Sequence, residues 1–358
     1  MSDPIAPALV AIIGGSVLAV LLFVPFVALS YRRRGGLSPW RIVGWAALLV
    51  YSLAIWSYTL LPFPDASDIS CVGAQLDPLQ ALVDIRSFDT DGPRALLTNP
   101  AVLQLVFNVL LFMPLGFLLR TLFARGAVVA TVVGFSVSLL VELTQLSGIW
   151  GLYSCAYRFF DVDDLIANTL GALLGSLVAI AVVRRGTAGT PAAPSAITPW
   201  RRLLGMLCDW LFVVVLGSAA AIAWRALQLY ALGVPFDDLN LTVEHLLALW
   251  LPLLIQLGVV LGTGSTIGES TVLLRGVDGR LPAPLGRAIR FAAGIGGYGV
   301  LAAVDGGALL FAAFVIASII GAFRSAGHRG LASALAGMGV EDARTRDVRA
   351  LRMPQGSE

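Results

Sequence analysis

Runs of about twenty apolar residues recur along this chain, each long enough for a helix to cross the ~30 Å hydrocarbon core of a bilayer. Hydrocarbon offers backbone N–H and C=O groups no water, so a crossing segment closes its hydrogen bonds within itself or within a closed barrel. The runs here are continuous rather than alternating, which selects helices. They lie at 8–30, 40–61, 101–124, 127–147, 163–183, 203–224, 244–262, 291–304 and 306–323. The last two are short for full crossings and read equally as one re-entrant hairpin turning at Asp305-Gly306-Gly307. Charged residues are only 13% of the chain, against about a quarter in soluble domains. The expected fold class is all-α: a polytopic membrane protein of about nine transmembrane helices in two bundles, five plus four.

Gly186–Pro199, built from Gly, Pro, Ala, Thr and Ser with a single Ile, has the composition of a flexible tether. It separates a first membrane domain (1–185) from a second (200–340), followed by a tail (341–358). Arginine placement orients the spans. Arg32, Arg33, Arg34, Arg120, Arg125, Arg184, Arg185, Arg201 and Arg202 fall on one side, as do Arg275, Arg280, Arg287, Arg290, Arg324 and Arg329. That side is cytoplasmic if the N-terminus is outside and the C-terminus inside. The other side receives only Arg86, Arg94, Arg158 and Arg225. The outer loops are then 62–100, with Asp65, Asp68, Asp77, Asp84, Asp89 and Asp91, and 147–161. Each holds one cysteine. Cys71 and Cys155 are expected to form a disulfide in an oxidising compartment, two unrelated free thiols being the alternative. Cys208 lies in the sixth span, where a small apolar thiol is ordinary.

The most informative stretch runs from Arg158 to Gly175. Asp161, Asp164, Asn168, Gly171 and Gly175 recur at intervals of three and four, one stripe of a helix. Glycines four apart admit a second backbone, and intramembrane carboxylates face protein or water. Two other spans carry polar groups at similar depth. Gln104 and Asn108 are four apart on the third; Ser138, Glu142 and Gln145 share a face of the fourth. An outward-facing polar pocket is expected from Asn108, Glu142, Gln145, Arg158, Asp161, Asp164 and Asn168. The bland alternative is pairing across helices alone, with Arg158 neutralising Glu142 or Asp161. Arg158 presents a fork suited to phosphate or carboxylate. No resident cofactor is assigned. The one candidate is a divalent cation on Asp161, Asp164 and Glu142, since Asp163 points off the stripe and the histidines, His245 and His328, lie elsewhere.

Three segments, Asn108-Val-Leu-Leu-Phe112-Met-Pro114-Leu-Gly116-Phe117, Ser138-Leu-Leu-Val-Glu142-Leu-Thr-Gln145 and Arg158–Gly175, together resemble the signature of the VanZ-like family. The resemblance covers roughly the first half. It implies a role at the cell envelope, with reduced susceptibility to glycopeptide antibiotics such as teicoplanin. Beyond the tether, Pro199-Trp-Arg-Arg202 through Asp209 resembles the opening of the RDD family. Thr266-Ile-Gly-Glu-Ser through Arg287-Ala and His328 through Gly337 resemble its later segments. Ala332 or Ser333 stands where that family has its second aspartate. Arg202 and Asp209 are seven apart, two helical turns, too far for a direct bond. A water chain or another helix is therefore expected between them, serving either ion passage or helix packing.

The sequence holds no nucleophile triad, no phosphate loop and no nucleic-acid surface, and Gly294-Ile-Gly-Gly297 lies in an apolar span. The expected partner is a membrane lipid or cell-wall precursor. Three readings stand at this point: an envelope-binding protein, an ion- or solute-coupled transporter, and an enzyme acting on a lipid phosphate with Glu142, Asp161 or Asp164 as general base.

Overall fold

The computed structural model describes residues 5–61, 63, 70–88, 92–182, 193–304 and 307–345. Asp65, Asp68, Asp89 and Asp91, the first half of the tether (186–192) with Arg184 and Arg185, Asp305 and Gly306, and the tail beyond 345 lie outside the described residues. The protein is mostly helical. Among the described residues six helices are long and apolar enough to cross a membrane, seven if one broken pair counts as a span. The broken pair is the expected span 8–30, which is two helices, α1 (Ile5–Leu21) and α2 (Phe23–Arg34). The chain divides into two compact units: 1–19 with 38–188, and 20–37 with 189–358.

Unit 1 contains most of α1, then α3 (Pro39–Leu60), the short helices α4 (Gln80–Ser87) and α5 (Pro93–Thr98), and three long helices. These are α6 (Pro100–Phe123), α7 (Ala127–Leu146) and, after the turn α8 (Gly148–Gly151), α9 (Val162–Val182). Asn99 caps α6, its side chain accepting from Ala101 N and Val102 N while its amide donates to Ile85 O. Ile55, Phe112, Leu115 and Val141 form a buried core shared by α3, α6 and α7. The closest approach is between α6 and α9. A Cβ on Gly171 would strike the Val109 carbonyl, and one on Gly175 the Met113 carbonyl. The glycine stripe of α9 thus lies backbone to backbone on α6, as small residues allow in membranes. At the other end of this contact Arg120 Nη1 donates to both the carbonyl and the hydroxyl of Ser176, 2.9 Å each.

Unexpected in an all-α reading, two residue pairs form a parallel ladder. β1 (Ala74–Gln75) lies beside β2 (Phe160–Asp161), Ala74 opposite Phe160. The Cys71–Cys155 disulfide closes beside it, with Cα atoms 5.6 Å apart.

Unit 2 holds α2, then α10 (Pro199–Ala226), which continues as a π-turn to Ala231, and α11 (Leu241–Thr263). Five shorter helices follow: α12 (Ile267–Thr271), α13 (Ala283–Ala292), α14 (Ile295–Ala303), α15 (Ala308–Arg324) and α16 (Gly330–Leu335). The spans expected at 291–304 and 306–323 are therefore short pieces of nine and seventeen residues, and the first breaks from α13 at Gly294. Between α12 and the end of the described chain, β3 (Leu274–Val277) pairs antiparallel with β4 (Gly339–Asp342). The core joins Val27 and Tyr31 of α2 to Cys208, Val272 and Leu274. Arg201 lies over the Tyr31 ring, 5.6 Å from its centroid, and donates to Val272 O, Leu273 O and Asp342 Oδ2 at 2.9–3.0 Å. Asp342 also accepts from Ser195 N and Arg344, and these donors outweigh burial to hold its carboxyl well below the usual range.

Candidate functional site

The polar site of unit 1 is built where α6, α7 and α9 meet at the end bearing β2. Asp161 precedes α9 rather than lying on it, so the expected helical stripe begins at Asp164. Asp161 acts as the cap: its Oδ1 accepts from Asp163 N at 2.8 Å, satisfying one of the unpaired amides of the first turn. Its own N–H donates to Glu142 Oε2 at 3.0 Å, fixing the buried Glu142 at the mouth of α9. Burial raises the Asp161 carboxyl above the usual range and the Asp163 carboxylate adds to it, against backbone amides that lower it. One turn in, Asp164 Oδ1 accepts from the amides of Asn108 and Gln104, both on α6. Another turn in, Asn168 Nδ2 donates to Ser138 Oγ at 3.0 Å, while its buried Oδ1 has no partner.

Two expected members of this pocket are spent elsewhere. Arg158 donates to Thr59 O at 3.1 Å and Leu61 O at 3.4 Å, and makes no ion pair with Asp161, Asp164 or Glu142. Gln145 donates to Thr59 O at 2.8 Å, and the Tyr157 hydroxyl to Leu60 O. These are the last carbonyls of α3, which lack intrahelical partners, and a cation there also meets the negative end of the helix. Asp163 is a tie rather than a ligand. Its two oxygens accept from Leu79 N and Ala81 N, 2.6 and 2.7 Å, holding the start of α4. Among the described residues no three acid, histidine or cysteine side chains gather as a metal-holding group.

In unit 2 the link between Arg202 and Asp209 is the α12 turn. Thr266 and Glu269 form a capping box: Thr266 Oγ1 accepts from Glu269 N, and Glu269 Oε2 from Thr266 N. Glu269 Oε1 takes both Arg202 and Arg290. Burial alone would raise this carboxyl, but the two guanidiniums hold it down to about 2. Asp209 accepts from Thr266 Oγ1 and Gly268 N, each at 2.6 Å, and from Gln256 Nε2 at 2.8 Å. Gln256, Glu269 and Arg290 were not singled out from the sequence. The Thr266-x-x-Glu269 spacing, a capping-box signature, was the available signal for one of them.

Long apolar helices whose buried polar groups are answered from neighbouring helices define an integral membrane protein, polytopic and mostly helical. Within it, residues 48–184 match the model of the VanZ/LLP1 family. That segment spans α6, α7 and α9 with the whole polar site. No curated protein and no solved structure matches the chain. The comparisons give no support for an RDD-family domain in the second half.

Proposed function

We propose that unit 1 is an envelope-facing binding module. Its site at the ends of α6, α7 and α9 engages the donor-rich head group of a cell-wall precursor or lipid, and so reduces what a glycopeptide such as teicoplanin can capture. The observation that carries this reading is the gathering of Glu142, Asp161 and Asp164 without any basic side chain in an ion pair with them. Ionisable groups at membrane depth without a structural counter-charge are the usual mark of a working site. The unpartnered Asn168 Oδ1 adds an acceptor beneath them. With Arg158 committed to α3, the site has acceptors in excess. That favours hydroxyl, amide or ammonium groups as ligands and weighs against the grip on phosphate that an enzyme for a lipid phosphate would need. In unit 2 all three donors facing Asp209 come from the protein itself, which weighs against an ion path there.

The outward orientation rests on the arginine bias. Alkaline phosphatase fused after Ser87 should be active, and after Arg125 silent; the reverse pair of results overturns the orientation. The binding role is tested by Asp164→Asn, which keeps shape and removes one charge. Expressed in a teicoplanin-susceptible host, the variant should reach the wild-type amount in the membrane and confer no protection. Full protection at normal abundance would remove the site's central residue from the function.

A further inference from the structure

Unit 2 contains a cavity of about 470 Å³ that the reading above does not use. Its two ends differ in chemistry. One end is lined by Arg202, Glu269, Arg290 and Gly330; the walls are Met206, Trp210, Tyr298, Phe311 and Phe314 among others. Met206 and Trp210 follow Arg202 at steps of four, so the apolar wall runs along α10 away from the guanidinium. Arg202 sits in the first turn of α10, and the wall therefore leads from the end of a membrane helix into its apolar length.

The hydrogen-bonding account at the polar end does not balance. Two buried guanidiniums share one carboxylate, leaving an excess positive charge among these three groups. Asp209 also lines the cavity and its charge offsets that excess, but its oxygens are taken by Thr266, Gly268 and Gln256, so it accepts nothing from Arg202. Arg202 is 94% buried by its 6% exposure, and its Nε–H has no acceptor. Its contact with Ser333 Oγ is long at 3.4 Å. The uncovered edge of the guanidinium faces Gly330. A Cβ there would lie 3.0 Å from Nε and 3.2 Å from Nη2, so any side chain at 330 would crowd that edge. A buried donor without a partner costs roughly 1–3 kcal/mol, and native interiors rarely leave one. The unmet capacity here is donor capacity beside an apolar slot.

We propose that this cavity binds a membrane amphiphile: an anionic oxygen head group, carboxylate or phosphate monoester, on Arg202 and a hydrocarbon chain along α10, α14 and α15. The head group completes the Arg202 fork, and the chain covers Met206, Trp210, Tyr298 and Phe314.

Native mass spectrometry of the full chain released from detergent micelles tests this with four probes: oleate, 1-oleoyl lysophosphatidate, monoolein and inorganic phosphate. A single retained adduct is expected with oleate or lysophosphatidate, and which of the two is kept identifies the head group. Monoolein has the same chain without charge, and phosphate the charge without a chain; both should be retained at least about tenfold less. Met206→Trp fills the slot beyond the buried charges and should weaken the adduct about tenfold, and Arg202→Lys, which keeps the charge but removes Nε–H, by a similar factor. Should Arg202→Lys fail to accumulate, Met206→Trp decides alone. Monoolein bound as tightly as the anions, phosphate bound as tightly as the amphiphiles, an adduct indifferent to Met206→Trp, or no adduct at all would each overturn the proposal.

Discussion

The two units treat buried charge in opposite ways. In unit 2 nearly every buried ionic group has an opposite partner: Arg201 with Asp342, and Arg202 and Arg290 with Glu269. In unit 1 the carboxylates of Glu142, Asp161 and Asp164 meet backbone amides and side-chain amides, and none of these three is held in an ion pair. Amide donors hold a carboxylate in place without cancelling its charge, so unit 1 keeps a field that a ligand can feel. The guanidiniums of unit 2 consume theirs and fix the α12 turn to α10 and α13. One arrangement leaves charge for work; the other spends it on shape.

If that contrast is right, removing a charge has unequal consequences. The largest loss is expected from Glu269→Ala, which strands two buried guanidiniums and should cost ~3–5 kcal/mol. Thermal unfolding of the purified protein, with a probe in unit 2, checks it. A change under about 1 kcal/mol would mean the pairs are not buried as described. Next comes the disulfide: Cys71→Ser should cost ~2–4 kcal/mol, read as faster unfolding and as proteolysis of the 70–88 segment. Gly171→Leu forces a side chain onto the Val109 carbonyl, an overpacking of ~1–3 kcal/mol or more, visible as reduced abundance in the membrane. Asp164→Asn should cost about 1 kcal/mol or less, since Asn108 and Gln104 retain an acceptor, while the envelope phenotype disappears. A large stability loss in Asp164→Asn would erase the contrast between the units.

The smallest effect at ordinary pH is a matter of sign. Glu269 is held at about 2, below its ordinary 4.5, so its stabilising contribution is complete above 4.5 and is lost as pH falls through 2. Unit 2 should therefore show a melting temperature flat in this group's contribution from pH 8 to about 5, falling below that. Glu269→Gln should reduce the acid-side slope, leaving the part that Asp342, also held low, contributes.

What could be read in the sequence follows from how local the cause was. The α9 pattern was legible because Asp164, Asn168, Gly171 and Gly175 recur with the helical period, and the same period turns them towards α6 and α7. The disulfide was legible because compartment and loop placement together left Cys71 and Cys155 as natural partners. The fate of Arg158 was not, because its acceptors are the carbonyls of Thr59 and Leu61, a hundred residues earlier, and carbonyls leave no mark in side-chain pattern. Gln145 and Asp163 eluded the reading in the same way, one bonded to the Thr59 carbonyl and the other to the backbone amides of Leu79 and Ala81. In the second half the runs at 291–304 and 306–323 read either as two short crossings or as one re-entrant hairpin; the described helices are of nine and seventeen residues, and Gly294 breaks the first. Hydropathy reports what a segment tolerates, not where its backbone turns.

The Cys71–Cys155 bond, joining positions 84 apart in the chain, makes a covalent ring that contains α4 to α8. A chain of this kind can be cut without coming apart. A single nick anywhere within 72–154 leaves both fragments on one molecule, running as full-length protein on a non-reducing gel and separating only when reductant is added. This part of unit 1 can thus lose a peptide bond and keep its connectivity. Limited digestion of the protein in isolated membranes, analysed with and without reductant, would show that difference directly.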